Sequence, residues 1–121
     1  MNNFQLSQET RGALTVVQVM GSLDMETYPR LEDLLTVQCQ QPHATVLLDC
    51  KNLQYIGSIG LGGLIKFTNQ SRAQGGNLKL VNVPERVYKI ITSLGFTKVL
   101  QVYPTEDEAL ASLANPRNCD E

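Results

Sequence analysis

An alternation constrains this chain more than anything else in it. Short runs of β-branched and aliphatic residues are separated by stretches of about a dozen residues with helical spacing. "FQLSQETRGALTVVQVMG" comes first. Phe4 and Leu6 alternate before an Arg11-Gly12 turn, and Leu14, Val16 and Val19 follow, which predicts a β-hairpin. In "SLDMETYPRLEDLLTVQCQ", Leu31, Leu34, Leu35 and Cys39 recur at three- and four-residue steps, the period of one buried helical face. Glu26, Glu32 and Asp33 sit toward its start, where a helix dipole favours negative charge, and Pro42 marks its end. "ATVLLDC" is a continuous apolar run of the kind found in strands covered on both faces, with Asp49 closing it. Leu61, Leu64, Ile65 and Thr68 are again helical, up to Gly75-Gly76, and "NLKLVNV" alternates as a strand. Val87, Ile90, Ile91 and Leu94 line one face of a helix that Pro84 opens and Gly95 stops. "TKVLQVY" reads as a last strand. "PTEDEALASLANP" reads as a last helix with Ala109, Leu110 and Leu113 turned to the core.

The predicted order is ββαβαβαβα. It implies a single α/β domain: a mixed sheet of about five strands with four helices, parallel pairs joined by right-handed crossovers, and the helices packed chiefly on one side. At 121 residues the chain holds one domain with room for a substantial core. We expect that domain over 1–115 and a frayed tail over 116–121.

Composition narrows the function. A formal net charge of −2 argues against a nucleic-acid footprint and gives no polybasic signal for a membrane surface. No apolar run approaches the roughly 20 residues that span a bilayer, and "MNNFQLSQET" lacks the cationic start and apolar core of a signal peptide. Cys39, Cys50 and Cys119 are odd in number, far apart and without a C-x-x-C pair. That fits reduced thiols in a cytoplasm, not a disulfide framework or a zinc site, and no cofactor is expected.

One stretch asks for a chemical explanation: "QYIGSIGLGGLIK", which gathers Gly57, Gly60, Gly62 and Gly63 around Ser58. A Walker A loop needs lysine directly after its last glycine, but Leu64 follows Gly63. The dinucleotide fingerprint fails because Ile65 stands where its third glycine belongs, and a nucleophile elbow fails because Ile56 stands two residues before Ser58. The only histidine, His43, lies beside Pro42 with nothing to orient it, so no general base is at hand. Catalysis is therefore not the expectation. Between a strand and a helix, Ser58 reads as a helix N-cap. The same place tolerates a phosphate, because the helix dipole favours added negative charge. Phosphorylation would put about −1.5 to −2 charge onto a face of glycine and aliphatic residues, which would repel a partner and leave the fold intact.

"GSLDMETYPRLEDLL", "VLLDCKNLQYIGSIGLGGLIK" and "GGNLKLVNVPERVYKIITSLGFTKVL" together resemble the STAS domain, in particular the free-standing bacterial anti-sigma-factor antagonists. The N-terminal segment of the three is similar to that family's G-x-[LI]-D turn. The middle segment is similar to its strand, linker and D-S-[ST]-G-L-G helix start. The resemblance covers the whole chain and implies partner switching. The unphosphorylated antagonist binds an ATP-binding serine kinase that is also an anti-sigma factor, and so frees the sigma factor. Phosphorylation of the serine blocks that binding, and a serine phosphatase resets it. Ser58 stands at the phosphoacceptor position and Asp24 at the aspartate of the first motif. Gly57, Ile59, Gly60, Leu61 and Gly62 complete the implied partner surface. Two residues depart from the pattern: Gly57 replaces the aspartate before the serine, and Ile59 replaces the hydroxyl residue after it. Those departures favour an alternative, a constitutive protein-interaction scaffold that docks through Ile59, Leu61 and the glycines without phosphorylation. A transporter's cytoplasmic domain fits less well, for want of a membrane segment. Asp24 has a plainer reading too, as a cap of the first helix.

Overall fold

The computed structural model describes residues 3–113, so the expected tail over 116–121, the last two residues of the expected domain and Cys119 lie outside it. Its elements follow the predicted order: β1 (Gln5–Arg11), β2 (Leu14–Leu23), α1 (Tyr28–Gln38), β3 (Thr45–Ile56), α2 (Ser58–Ala73), β4 (Asn77–Val81), α3 (Glu85–Ser93), β5 (Gln101–Tyr103) and α4 (Glu106–Leu113). The five strands lie side by side in sequence order; β1 pairs antiparallel with β2, and every later pair is parallel. The hairpin turn is Gly12-Ala13, one residue later than expected, because Arg11 still pairs with Leu14; Gly12 takes the left-handed φ of +63° that such a turn needs.

Strand order explains where the helices go. Three crossovers in succession each step to the next strand in the same direction, and right-handed connections of that kind leave all three helices on one face. Leu31 and Leu35 of α1, Leu61, Leu64 and Phe67 of α2, and Val87 and Ile91 of α3 join one core with Val17, Val46, Leu48, Leu78 and Leu80 of the sheet. Burying each such side chain contributes about 1.5–3 kcal/mol. After β5 the sheet has no further strand, and α4 folds onto the opposite face, where Ala109 packs with Val16, Leu47 and Val81. Leu47 is therefore covered from the side opposite to Val46 and Leu48, which is why "VLL" reads as an unbroken apolar run.

Several local expectations are corrected. β3 runs on to Ile56, so Asp49 does not close it; Asp49 Oδ1 accepts hydrogen bonds from Lys51 N (3.1 Å) and Asn82 Nδ2 (3.2 Å) inside the sheet. Leu94 is half exposed, since α3 ends at Ser93 and a 3-10 turn, Phe96–Lys98, follows before β5. "TKVLQVY" therefore holds only a three-residue strand. No acidic residue lies in the first turn of α1. Glu26 precedes that helix, and Glu32 pairs with Lys66 of α2 at 3.2 Å. In α4, Ala109 is buried as expected, while Leu110 and Leu113 are only partly covered.

Candidate functional site

The glycine stretch is not a loop. β3 ends at Ile56 and α2 begins at Ser58, so Gly57 alone makes the connection. Its extended backbone, φ −90° and ψ 175°, makes Gly57 the N-cap, and Ser58 is the first helical residue, not the cap that its sequence position suggests. Ser58 makes no cap hydrogen bond, and the first helical bond runs from Leu61 N to Gly57 O at 3.1 Å. The N–H groups of Ser58, Ile59 and Gly60 thus have no partner within the helix, and the positive end of the helix dipole lies there.

The glycines divide by direction. A Cβ on Gly63 would lie 2.2 Å from Tyr28 Cε1 and Oη, and one on Gly60 would lie 2.8 Å from Leu23 Cδ2. Those two glycines let α2 settle onto α1 and β2, and they do not clear space around Ser58. A Cβ on Gly62 would meet nothing within 4 Å, and one on Gly57 would meet only ordinary contacts. Leu61 is fully buried and Gly60 is buried with it, so neither belongs to an exposed partner surface. Ser58, Ile59 and Gly62 are exposed.

Asp24 comes to the same end of the sheet. Leu23 and Ile56 are register partners, and Gly57 N donates to Leu23 O at 2.9 Å, so Asp24 and Gly57 leave the sheet next to one another. Asp24 shapes the turn before α1 and is not the cap that its plainer reading expected, since the N-cap is Thr27. Its Oδ1 accepts from Glu26 N (3.0 Å) and Thr27 N (3.1 Å), and its carbonyl accepts from Tyr28 N (2.8 Å). Thr27, itself buried, donates its hydroxyl to Ser22 O at 2.8 Å and fixes the turn from the other side.

Two surface residues at this end carry no signal in the sequence pattern. Met25, at the tip of the Asp24 turn, is 75% exposed, and Tyr55 is 50% exposed. Tyr55 faces out because of a bulge. Gly21 pairs with Leu53 and Ser22 with Tyr55, which leaves Gln54 as an extra residue in β3. Gln54 and Tyr55 are consequently both exposed before Ile56 turns inward. The Tyr55 ring then lies over Gly57, with Cε2 at 3.6 Å and Oη at 3.8 Å from where a Cβ of residue 57 would sit. From Asn52 to Ile65 the chain has no Asp, Glu, Lys, Arg or His. An apparent strand-to-loop "linker" in sequence hides such a bulge; only an aromatic two residues before Gly57 could have hinted at it.

His43 is exposed before β3, at the far end of a 12-residue strand from Ser58, on the order of 35 Å away. Burial pushes the Cys39 thiol up to about 11 and the Cys50 thiol higher still, with the Asp49 charge adding to the latter, so neither is a reactive thiolate at neutral pH. Tyr28 is raised to about 12, first by burial and then by the Glu32 charge. Among the described residues no His, Cys, Asp and Glu group could hold a metal ion, and no helix is long and apolar enough to cross a membrane.

The chain matches known proteins over most of its length. The chain is 29% identical over 119 residues to an anti-sigma F factor antagonist of Paenibacillus polymyxa, covering 92% of this chain and 96% of the relative. It is 28% identical over 103 residues to an anti-sigma-B factor antagonist of Staphylococcus aureus, covering 83% and 93%. The crystal structure of an anti-sigma factor antagonist from Mycobacterium paratuberculosis superposes with a TM-score of 0.80 at 25% identity, over 93% of this chain and 96% of that one. The STAS domain family profile matches residues 5–109, and the chain therefore belongs to the STAS domain family.

Proposed function

We propose that the protein is an anti-sigma-factor antagonist that works by partner switching in the bacterial cytoplasm. Its unphosphorylated form binds an anti-sigma factor that is also an ATP-binding serine kinase, and releases the sigma factor. Phosphorylation of Ser58 blocks that binding, and a serine phosphatase restores it. The names of the Paenibacillus polymyxa and Staphylococcus aureus relatives support an anti-sigma factor as the partner. One observation carries the switch: Ser58 is exposed in the first turn of α2, which contains no acidic residue. A phosphate there gains from the helix dipole and the unpaired N–H groups, so the fold survives it. The surrounding surface of Gly57, Ile59 and Gly62 is uncharged, and the charges in the adjoining turn that carries Met25, those of Asp24 and Glu26, are negative. A partner packed on it would have to desolvate about two negative charges, a cost that breaks the contact.

The test uses two baits, Ser58→Ala and Ser58→Asp, in the native host's lysate. Retention of an anti-sigma factor by the first and its loss from the second supports the switch. Equal retention by both would sink it.

A second reading keeps the partner and removes the switch. Gly57 and Ile59 depart from the family pattern on either side of the serine, and Ile59 is 43% exposed as a ready apolar contact. On that reading the protein is a constitutive scaffold. Mass spectrometry of the protein from its host across growth conditions separates the two, since the scaffold carries no phosphate on Ser58.

A further inference from the structure

We infer that Tyr55 is a specificity-determining contact for the partner, presented from the end of β3 beside Ser58. The inference rests on the partner-binding reading above and adds to it the chemistry of the surface that is read. Three observations meet here. The bulge at Gln54 turns Tyr55 outward at the last step of β3, although strict alternation from Leu53 would bury it. Its ring lies over Gly57, 3.6 Å from the Cβ position that glycine leaves empty. Its hydroxyl, 3.8 Å from the same point, is within reach of any carboxylate carried there. An acidic residue at 57 would therefore put a charge against the ring and hydroxyl. Glycine instead leaves an uncharged aromatic face beside Ser58, with Met25 and Ile59 as exposed apolar neighbours at the same end of the sheet.

Such a face fits one kind of partner surface. Tyrosine combines a large rigid apolar area with a single polar tip, and it is enriched among the residues that dominate binding at interfaces. The complementary partner is an anti-sigma factor that offers an apolar slot for the ring; one that presents a basic group to a carboxylate at 57 finds none at that position, the nearest carboxylate being that of Asp24 in the facing turn. Gly57 and Tyr55 thus act as a pair: the glycine keeps position 57 uncharged and leaves the ring open to a partner's apolar slot.

The experiment measures dissociation constants by calorimetry between the full-length chain and the purified anti-sigma factors of its native host, taken one at a time. The variants are Tyr55→Ala, Tyr55→Phe, Gly57→Asp and Ser58→Asp, each with a thermal midpoint. We expect Tyr55→Ala to weaken binding about 10- to 30-fold with a midpoint within about 4 °C of the parent. Tyr55→Phe should stay within about threefold, because the ring supplies most of the contact. Gly57→Asp, whose Cβ meets only ordinary contacts, should weaken binding about tenfold by adding charge to the patch. If Ser58→Asp disrupts binding but Tyr55→Ala binds within twofold of the parent, partner switching stands and the role of Tyr55 is overturned. Tighter binding by Gly57→Asp would overturn it as well, since the partner would then be reading a carboxylate. If no anti-sigma factor binds the unmodified protein, the partner reading itself fails and this inference falls with it.

Discussion

The inner and outer faces of the first two turns of α2 use the same residue types for opposite ends. On the inner face, Gly60 and Gly63 let Leu23 and Tyr28 come within what would be a clash for any side chain, while Leu61 and Leu64 fill the core. On the outer face, Gly62 has nothing near it and Ser58 and Ile59 stand in solvent. The inner face sets how closely α2 packs, and the outer face sets what a partner meets. A glycine-rich motif at a helix start need not be a loop or a ligand cradle. Here its glycines do packing work on one side and leave a low surface on the other.

The largest test of that division compares neighbours. Leu61→Ala should destabilise the fold by about 2–5 kcal/mol, as expected for a fully buried leucine. Ile59→Ala, two residues earlier and exposed, should stay within about 0.5 kcal/mol. Urea unfolding midpoints of the two variants measure this, and similar losses would mean that Ile59 is structural too.

A finer comparison sets adjacent glycines against each other. Gly63→Ala forces Tyr28 to move and should cost about 1–3 kcal/mol. Gly62→Ala meets no neighbour and should stabilise by up to about 1 kcal/mol through helix propensity. In a Tyr28→Ala background the penalty at Gly63 should vanish or change sign. A penalty unchanged by removing Tyr28 would show that something other than the ring holds position 63 to glycine.

Ser58→Asp should leave the fold intact and raise stability by about 0.3–1 kcal/mol at low salt, since it supplies the negative charge that the first turn of α2 lacks. The gain should shrink as salt is added. A net loss of stability would count against a phosphate being tolerated there.

The smallest effect near neutrality belongs to the core thiols. Burial raises Cys39 and Cys50 in the folded state above their unfolded values. The folded state therefore holds their protons longer, and their contribution is complete below the ordinary thiol range near pH ~8.5 and lost as pH rises toward the folded values. Stability should be flat with respect to these groups from about pH 6 to 8 and decline above about pH 9. Guanidinium midpoints across that range should show a shallower alkaline decline in Cys39→Ala and in Cys50→Ala than in the parent.

Much of the molecule follows from local pattern. Hydrophobic periods of two and of three to four are local properties. They placed the ββαβαβαβα order, the buried faces through Leu31, Leu35, Val87 and Ile91, and the position of Ser58 between β3 and α2. The sequence by itself could not place Tyr55, because a bulge is a mismatch between two strands and exists only once Gly21 and Ser22 are paired with Leu53 and Tyr55. Nor could it tell Gly63 from Gly62, which differ in what Tyr28 does across the helix interface and in nothing local. Ser58 moved from cap to first helical residue because β3 kept its pairing to Ile56 and left Gly57 alone to turn the chain. The side of the sheet taken by α4 was also settled by tertiary structure, since it depends on where an uncovered apolar patch remained after three helices had used the other face. Periodicity determined what is buried. Pairing across strands and helices decided what is displayed beside Ser58, because exposure there depends on neighbours that are distant in sequence.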